Sequence, residues 1–167
     1  MSVLGELQPN KVFKYFEEIC SIPHGSRNLQ QISDYLVDFA KAHELKYRQD
    51  EDLNVIIWKD GSKGYEASEP VILQGHMDMV AVKEADCDKD MEKEGLDLEI
   101  NGDYISAKGT SLGGDDGIAV AYTLAVLDDE EMAHPPIEAI FTVNEEIGML
   151  GAATIDVSEL KGRLFMN

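Results

Sequence analysis

His76 and Asp78 are the first residues of this chain whose types and spacing could do chemistry. They stand two positions apart, and only Gln74 and Gly75 separate His76 from the apolar residues 71–73. Because side chains two apart on a strand point to the same face, the imidazole and the carboxylate would project together. A histidine held by a neighbouring acid suits a metal site. The pair predicts that His76 binds a metal beside Asp78, although the motif alone is a weak signal.

Asp115 is a second candidate ligand, and it lies in a glycine-rich segment with Gly113, Gly114 and Gly117 around it. Glycine permits unusual backbone conformations and close approach of other groups. A carboxylate has two oxygens and can bridge two ions that lie about 3.5–4 Å apart. The alternative is that Asp115 only caps the helix predicted to begin there. On local grounds the two interpretations are equal.

Glu145 and Glu146 follow a further apolar segment, residues 137–143. On a regular strand the two side chains would face opposite ways, and at least one would be buried without a partner. Irregular backbone at the strand end would let both reach one cleft. One carboxylate could then bind a metal while the other accepts a proton from water. Without the other motifs, a solvated acidic loop is the more frequent outcome for such a pair.

The composition excludes several classes of protein. The 167 residues contain 33 acidic and 14 basic side chains, for a formal charge of -19. This excess of negative charge repels nucleic acid and anionic membranes. No segment approaches the roughly 20 apolar residues that span a bilayer, and the N-terminus has no secretory pattern. The two cysteines, Cys20 and Cys87, form neither a disulfide framework nor a zinc motif. We therefore expect a cytoplasmic protein without nucleic acid or membrane partners.

The elements that must position these residues alternate between helices and strands. Apolar spacing predicts a helix over residues 10–21, capped by Asn10, and a second helix that begins at Ser26 or Asn28. Further segments have the patterns of five strands, a hairpin around residues 101–102 and a helix: strands at 45–48, 54–58, 71–75, 137–143 and from 164, and the helix at 115–127. This order predicts an α/β layered domain. Ligands of such sheets bind beyond the carboxyl ends of the strands, where the candidate residues could converge.

Three motifs together resemble the dinuclear zinc peptidases, the superfamily that includes aminoacylase and glutamate carboxypeptidase. They are QGHMDMV at 74–80, GTSLGGDDGI at 109–118 and FTVNEEIGM at 141–149. The most similar branch is the aminoacyl-histidine dipeptidases, also called Xaa-His or cytosol nonspecific dipeptidases. Residues 7–9, 22–26 and 52–57 also resemble this branch. The resemblance implies a three-layer α/β/α zinc-peptidase-like domain, with a mixed sheet and helices on both faces.

The resemblance also implies a role for each candidate residue. His76 would bind one metal ion, and Asp115 would bridge two ions, with a cis peptide bond to the residue that follows it. Glu146 would bind the second ion, and Glu145 would be the general base that activates the bridging water and then protonates the leaving amine. Asp78 would orient His76. The ions are expected to be zinc, with cobalt or manganese as alternatives, and the reaction is the hydrolysis of dipeptides such as Xaa-His.

The chain ends at Asn167, before features that the family supplies. These are a metal-binding aspartate after the strand that begins at residue 164, a later histidine ligand and an inserted domain. The resemblance therefore implies that residues 1–167 are the N-terminal part of a catalytic domain, inactive alone. The apolar C-terminal end favours self-association through exposed edges. The parent protein would be a homodimer. A related aminoacylase or carboxypeptidase, or a non-catalytic scaffold, remains as the alternative. His24 and His134 are expected in loops with packing or surface roles.

Overall fold

The computed structural model describes residues 2–167, which form four helices and seven strands. The helices are α1 (Asn10–Cys20), α2 (Gln30–Ala42), α3 (Gly114–Leu127) and α4 (Leu150–Thr154). The strands are β1 (Lys46–Gln49), β2 (Val55–Lys59), β3 (Val71–His76), β4 (Leu98–Asn101), β5 (Tyr104–Ala107), β6 (Ile137–Thr142) and β7 (Leu164–Met166). The predicted α/β class is confirmed.

Five strands form one mixed sheet in the order β1-β2-β6-β3-β7. β3 runs parallel to β6 and to β7, whereas β2 pairs antiparallel with β1 and β6. The register pairs His76 with Thr142, the last residues of β3 and β6. The loops that follow these two strands therefore leave the sheet side by side, and they carry three of the predicted site residues. β4 and β5 form a separate hairpin.

β6 is the most completely buried strand, since both faces of the sheet are covered where it lies. Ile137, Ala139 and Phe141 face the helices and belong to the main core. Ile140 is buried on the opposite face, where it lines a cavity together with Ala152, Ile155 and Val157. This arrangement explains the uninterrupted apolar character of the segment, because alternation is lost when neither face meets water.

α1 and α2 show the apolar periodicity of helices that cover a sheet. In α1, Phe16 and Ile19 are buried on the face that packs against α3. The two helices approach closely at Gly117, where a Cβ atom would lie 3.3 Å from Cε2 of Phe16. Burial of one such apolar side chain contributes about 1.5–3 kcal/mol to folding.

Two boundary predictions are wrong. α2 begins at Gln30, with Leu29 as its N-cap, rather than at Ser26 or Asn28, and the left-handed backbone of Arg27, with φ of 73°, interrupts any helix that begins at Ser26. Asn10 is the first residue inside α1 instead of its cap, and its side-chain amide donates to the carbonyl of Gly5. Within residues 2–167, no helix has the length and apolarity needed to cross a membrane.

Candidate metal centre

The end of β3 places His76 between two aspartates. Its backbone amide donates to Oδ2 of Asp116 at 3.1 Å, and its Nδ1 lies 2.9 Å from the backbone carbonyl of Asp78. Gly75 makes the first contact feasible, because a Cβ atom there would lie 2.9 Å from the same Asp116 oxygen. With Nδ1 bonded to the carbonyl, neutral His76 presents the lone pair of Nε2 to the cleft.

Asp78 is a buried carboxylate whose side chain is 0% exposed. Its Oδ1 lies 3.6 Å from Nδ1 of His76 and accepts the backbone amide of Glu145 at 3.0 Å. Its Oδ2 accepts the hydroxyl of Ser26 at 2.7 Å and the amide of Glu146 at 3.4 Å. Burial raises the pKa of Asp78, but these contacts outweigh burial and hold it below its usual value. Asp78 therefore stays ionised beside the imidazole.

The turn after β6 directs both glutamates into one cleft. Asn144 adopts the left-handed conformation with φ of 54°, which asparagine tolerates better than most residues. The regular strand has already ended at Thr142, so the side chains of Glu145 and Glu146 no longer alternate across the sheet. His76, Glu145 and Glu146 each offer a ligand atom, and these three atoms lie within 4.8 Å of one another. The irregular strand end expected from the sequence is thus present.

An imidazole nitrogen and carboxylate oxygens are the ligands that zinc, cobalt and manganese accept in proteins. The donor set of His76, Glu145 and Glu146 therefore fits a divalent ion. Burial raises the pKa of Glu146, and the charges of Asp115 and Glu145 act in the same direction. A bound cation would relieve this crowding of carboxylates.

Asp115 is not part of this three-residue group, but it contacts one member of it. Its Oδ1 lies 3.2 Å from Nε2 of His76, and its side chain is 89% exposed. The peptide bond to Asp116 is cis, as the resemblance implies. Gly113, and not Asp115, occupies the N-cap position of α3. Asp115 therefore does not cap the helix, and its carboxylate faces the cleft instead.

The charge of His76 depends on its acidic neighbours. Burial lowers the pKa of His76, but the contacts with Asp78 and the charge of Asp116 outweigh it and raise the pKa to about 9. Burial is also the main reason that the pKa of Asp116 is raised. Perturbed carboxylates and an imidazole that share one cleft are typical of a functional site.

A cavity of about 630 Å³ opens beside these residues. His76, Asp115 and Glu145 lie at its polar end, and Ile140 and Phe165 belong to its apolar wall. A cavity that combines an apolar wall with a few convergent polar groups is the usual form of a small-molecule site.

Ser26 and Asn144 are not among the site residues that the sequence predicts. Ser26 contacts Asp78 across 52 positions of the chain, so spacing carries no signal for it. Asn144 could have been noticed, since asparagine directly after a strand is suited to a left-handed turn. His24 is buried, with Nδ1 2.6 Å from the carbonyl of Ile22, and His134 is buried in a loop. Both agree with the expected packing roles.

Comparison with known proteins identifies the chain's relatives. It is 39% identical over 167 residues to the cytosol non-specific dipeptidase of Escherichia coli strain K12, an alignment that covers 100% of the chain. The chain resembles the cytosol non-specific dipeptidases. The same alignment covers only 34% of the relative, so the chain spans about a third of that dipeptidase. No protein-family model matches the chain.

Solved structures agree with this dipeptidase resemblance. The crystal structure of aminoacylhistidine dipeptidase from Vibrio alginolyticus matches with a TM-score of 0.94 at 39% identity, over 97% of this chain and 33% of that one. A tripeptidase from Staphylococcus aureus matches with a TM-score of 0.77 at 23% identity, over 96% of this chain and 43% of that one, which shows the fold alone. The resemblance predicted from the three motifs, and the fold that it implies, are confirmed.

Proposed function

We propose that this chain is the N-terminal part of the catalytic domain of a metal-dependent dipeptidase. The observation that carries the proposal is the convergence of His76, Glu145 and Glu146 within 4.8 Å, on a fold similar to that of a dipeptidase. The proposed substrates are dipeptides, with Xaa-His among them. The complete protein is proposed to be a cytoplasmic homodimer that binds neither nucleic acid nor membranes.

His76, Asp115 and Glu146 are the proposed ligands of two divalent ions, with zinc as the first candidate and cobalt or manganese as alternatives. Asp115 is the proposed bridge, which its exposed carboxylate beside Nε2 of His76 supports. The remaining ligands are proposed to come from residues beyond this chain. When bound, the ions would supply Lewis acidity for the scissile carbonyl and for the attacking water.

Glu145 is the proposed general base. Its Oε2 lies 3.8 Å from Nε2 of His76, so the carboxylate reaches the same cleft as the ligands. It would take a proton from the attacking water and deliver it to the amine that leaves. The backbone carbonyl of Asp78 would keep Nδ1 of His76 occupied, with the Asp78 carboxylate 3.6 Å from the same atom, so that Nε2 faces the cleft.

Glu145→Gln in the longest natural form of the protein tests this assignment. The amide keeps the size of the side chain but cannot accept the proton, so turnover of dipeptides should fall at least about 100-fold. Zinc content, measured by elemental analysis, should remain that of the wild type. The matched control is Glu51→Gln, a change at an exposed acid in the turn between β1 and β2. Retained turnover in Glu145→Gln would remove Glu145 from the role of base.

Substrate preference distinguishes the proposed dipeptidase from the other activities of the superfamily. Xaa-His dipeptides and N-acylated amino acids should be compared side by side with the zinc-loaded protein. A dipeptidase hydrolyses the former and leaves the latter. Preference for the acylated amino acids would favour an aminoacylase, and no hydrolysis of either would favour a scaffold. The 167 residues alone should show no turnover.

A further inference from the structure

Residues 24–27 lie against the loop that follows β3. The amide of Met79 donates to the carbonyl of His24 at 3.1 Å, and the amide of Ser26 donates to the carbonyl of Met79 at 3.2 Å. These bonds form a parallel bridge between Gly25 and Met79. A Cβ atom at Gly25 would lie 2.7 Å from Cβ of Ala81, so the two chain segments approach as closely as glycine permits.

Ser26 makes the shorter of the two hydrogen bonds to Oδ2 of Asp78. The hydroxyl donates at 2.7 Å, whereas the amide of Glu146 reaches the same oxygen at 3.4 Å. Because the Asp78 side chain is 0% exposed, water cannot replace a lost donor without rearrangement. Ser26 thus fixes the carboxylate to which the amides of Glu145 and Glu146 are bonded.

Arg27 makes a second connection, to the turn after β6. Its backbone amide donates to Oδ1 of Asn144 at 2.8 Å. The carbonyl of Asn144 in turn accepts the amide of Leu150, the first residue of α4. Arg27 and Asn144 both have left-handed backbones, with φ of 73° and 54°. Non-glycine residues persist in this conformation when the surrounding contacts hold them there.

We propose that residues 24–27 are a brace that positions Glu145 and Glu146. The positioning residues are Ser26, within the brace, and Asn144, which accepts the brace's contact from the turn after β6. The brace acts on the turn that carries Glu145 and Glu146 at two points. One is the carboxylate of Asp78, and the other is the side chain of Asn144. None of its contacts requires substrate. The inference rests on the proposed function, because it assigns to this segment the geometry of the proposed base and ligand.

Ser26→Ala and Ser26→Thr in the longest natural form of the protein test the brace. Loss of a contact that orients ligands typically costs 10–100-fold, so Ser26→Ala should lower kcat and cobalt affinity by roughly that factor with KM within about threefold. The visible absorption spectrum of the cobalt-loaded protein should change. Ser26→Thr keeps the hydroxyl and should restore the wild-type kcat, cobalt affinity and absorption spectrum. The matched control is Ser21→Ala, which removes a hydroxyl bonded to the carbonyl of Glu18 at the end of α1.

Amide hydrogen exchange of Glu145 and Glu146 makes the test independent of activity and of metal. Exchange at both amides should be faster in Ser26→Ala than in the wild type and unchanged in Ser21→Ala. If the wild type binds cobalt but hydrolyses no dipeptide, the proposed function fails, while exchange and cobalt affinity still decide the brace. Wild-type exchange, affinity and spectrum in Ser26→Ala would overturn it.

Asn144→Gly is the second variant, and it decides the matter if Ser26→Ala does not fold. Glycine keeps the left-handed backbone, and the acceptor for the Arg27 amide is lost together with some rigidity of the backbone at this position. Exchange at the Glu145 and Glu146 amides should again be faster, and cobalt affinity should fall. Unchanged values in Asn144→Gly would overturn the brace.

Discussion

The carboxylate of Asp78 accepts a hydrogen bond of 3.0 Å from the backbone amide of Glu145, which lies 67 positions further along the chain. The same carboxylate lies 3.6 Å from the ring of His76. One buried acid therefore links the imidazole at the end of β3 to the glutamate pair at the end of β6. The two halves of the candidate site cannot move independently while this link is intact.

Asp78→Asn should disrupt both halves of the site at once. An amide nitrogen would replace one carboxylate oxygen. That nitrogen would face an N–H or O–H donor, which in the wild type is bonded to the oxygen. We expect zinc affinity to fall about 10–100-fold, measured by competition with a chromophoric chelator. Asp86→Asn, in the exposed acidic loop, is the control. Wild-type zinc affinity in Asp78→Asn would contradict the linking role.

Gly75→Ala should destabilise the fold. The new methyl group would lie 2.9 Å from Oδ2 of Asp116 and 3.4 Å from Cβ of Ala119. Overpacking of this kind costs about 1–3 kcal/mol in the free energy of unfolding, which chemical denaturation measures. Gly114→Ala is the control, because its methyl group would meet only Cδ2 of Leu112 at 3.9 Å. Equal stabilities of the two variants would contradict the expected clash.

Glu138→Gln should loosen the connection that leads into β7. The buried carboxylate of Glu138 accepts the amides of Lys161 and Gly162, each at 2.9 Å. A glutamine would place an amide nitrogen against one of these donors, at a cost of about 1–3 kcal/mol in unfolding free energy. Amide exchange should become faster at residues 161–162 and in β7. Glu51→Gln, an exposed change, should leave both measurements as they are in the wild type.

The contacts of Glu17 should make stability depend on pH. Burial opposes ionisation of Glu17, but hydrogen bonds from Ser2, Val3 and Leu4 outweigh burial and lower its pKa from 4.5. A group with a lowered pKa in the folded state stabilises it above the unfolded-state pKa, and the stabilisation is lost as pH falls through the folded-state pKa. The difference in unfolding free energy between wild type and Glu17→Gln should therefore shrink as pH drops below about 4.5. A difference that stays constant down to pH 3 would contradict this role.

Local patterns predicted most of the fold because they depend only on neighbours in the chain. The predicted strand 71–75 corresponds to β3, Val71–His76, and the predicted helix 115–127 corresponds to α3, Gly114–Leu127. The start of α2 differs from the prediction because residues 25–27 are held by contacts with Met79 and Asn144, which no local pattern contains.

The amino-acid sequence by itself determined the fold class, the candidate ligands and the resemblance to dipeptidases, since periodicity and motifs are local properties. Only the tertiary structure decided how these residues meet. The parallel pairing of β3 with β6 brings Asp78 to the amides of Glu145 and Glu146, and the left-handed Asn144 directs both glutamates into the cleft. Contacts between residues so far apart in the chain exist only after the sheet has formed, because the sheet holds their strand ends side by side.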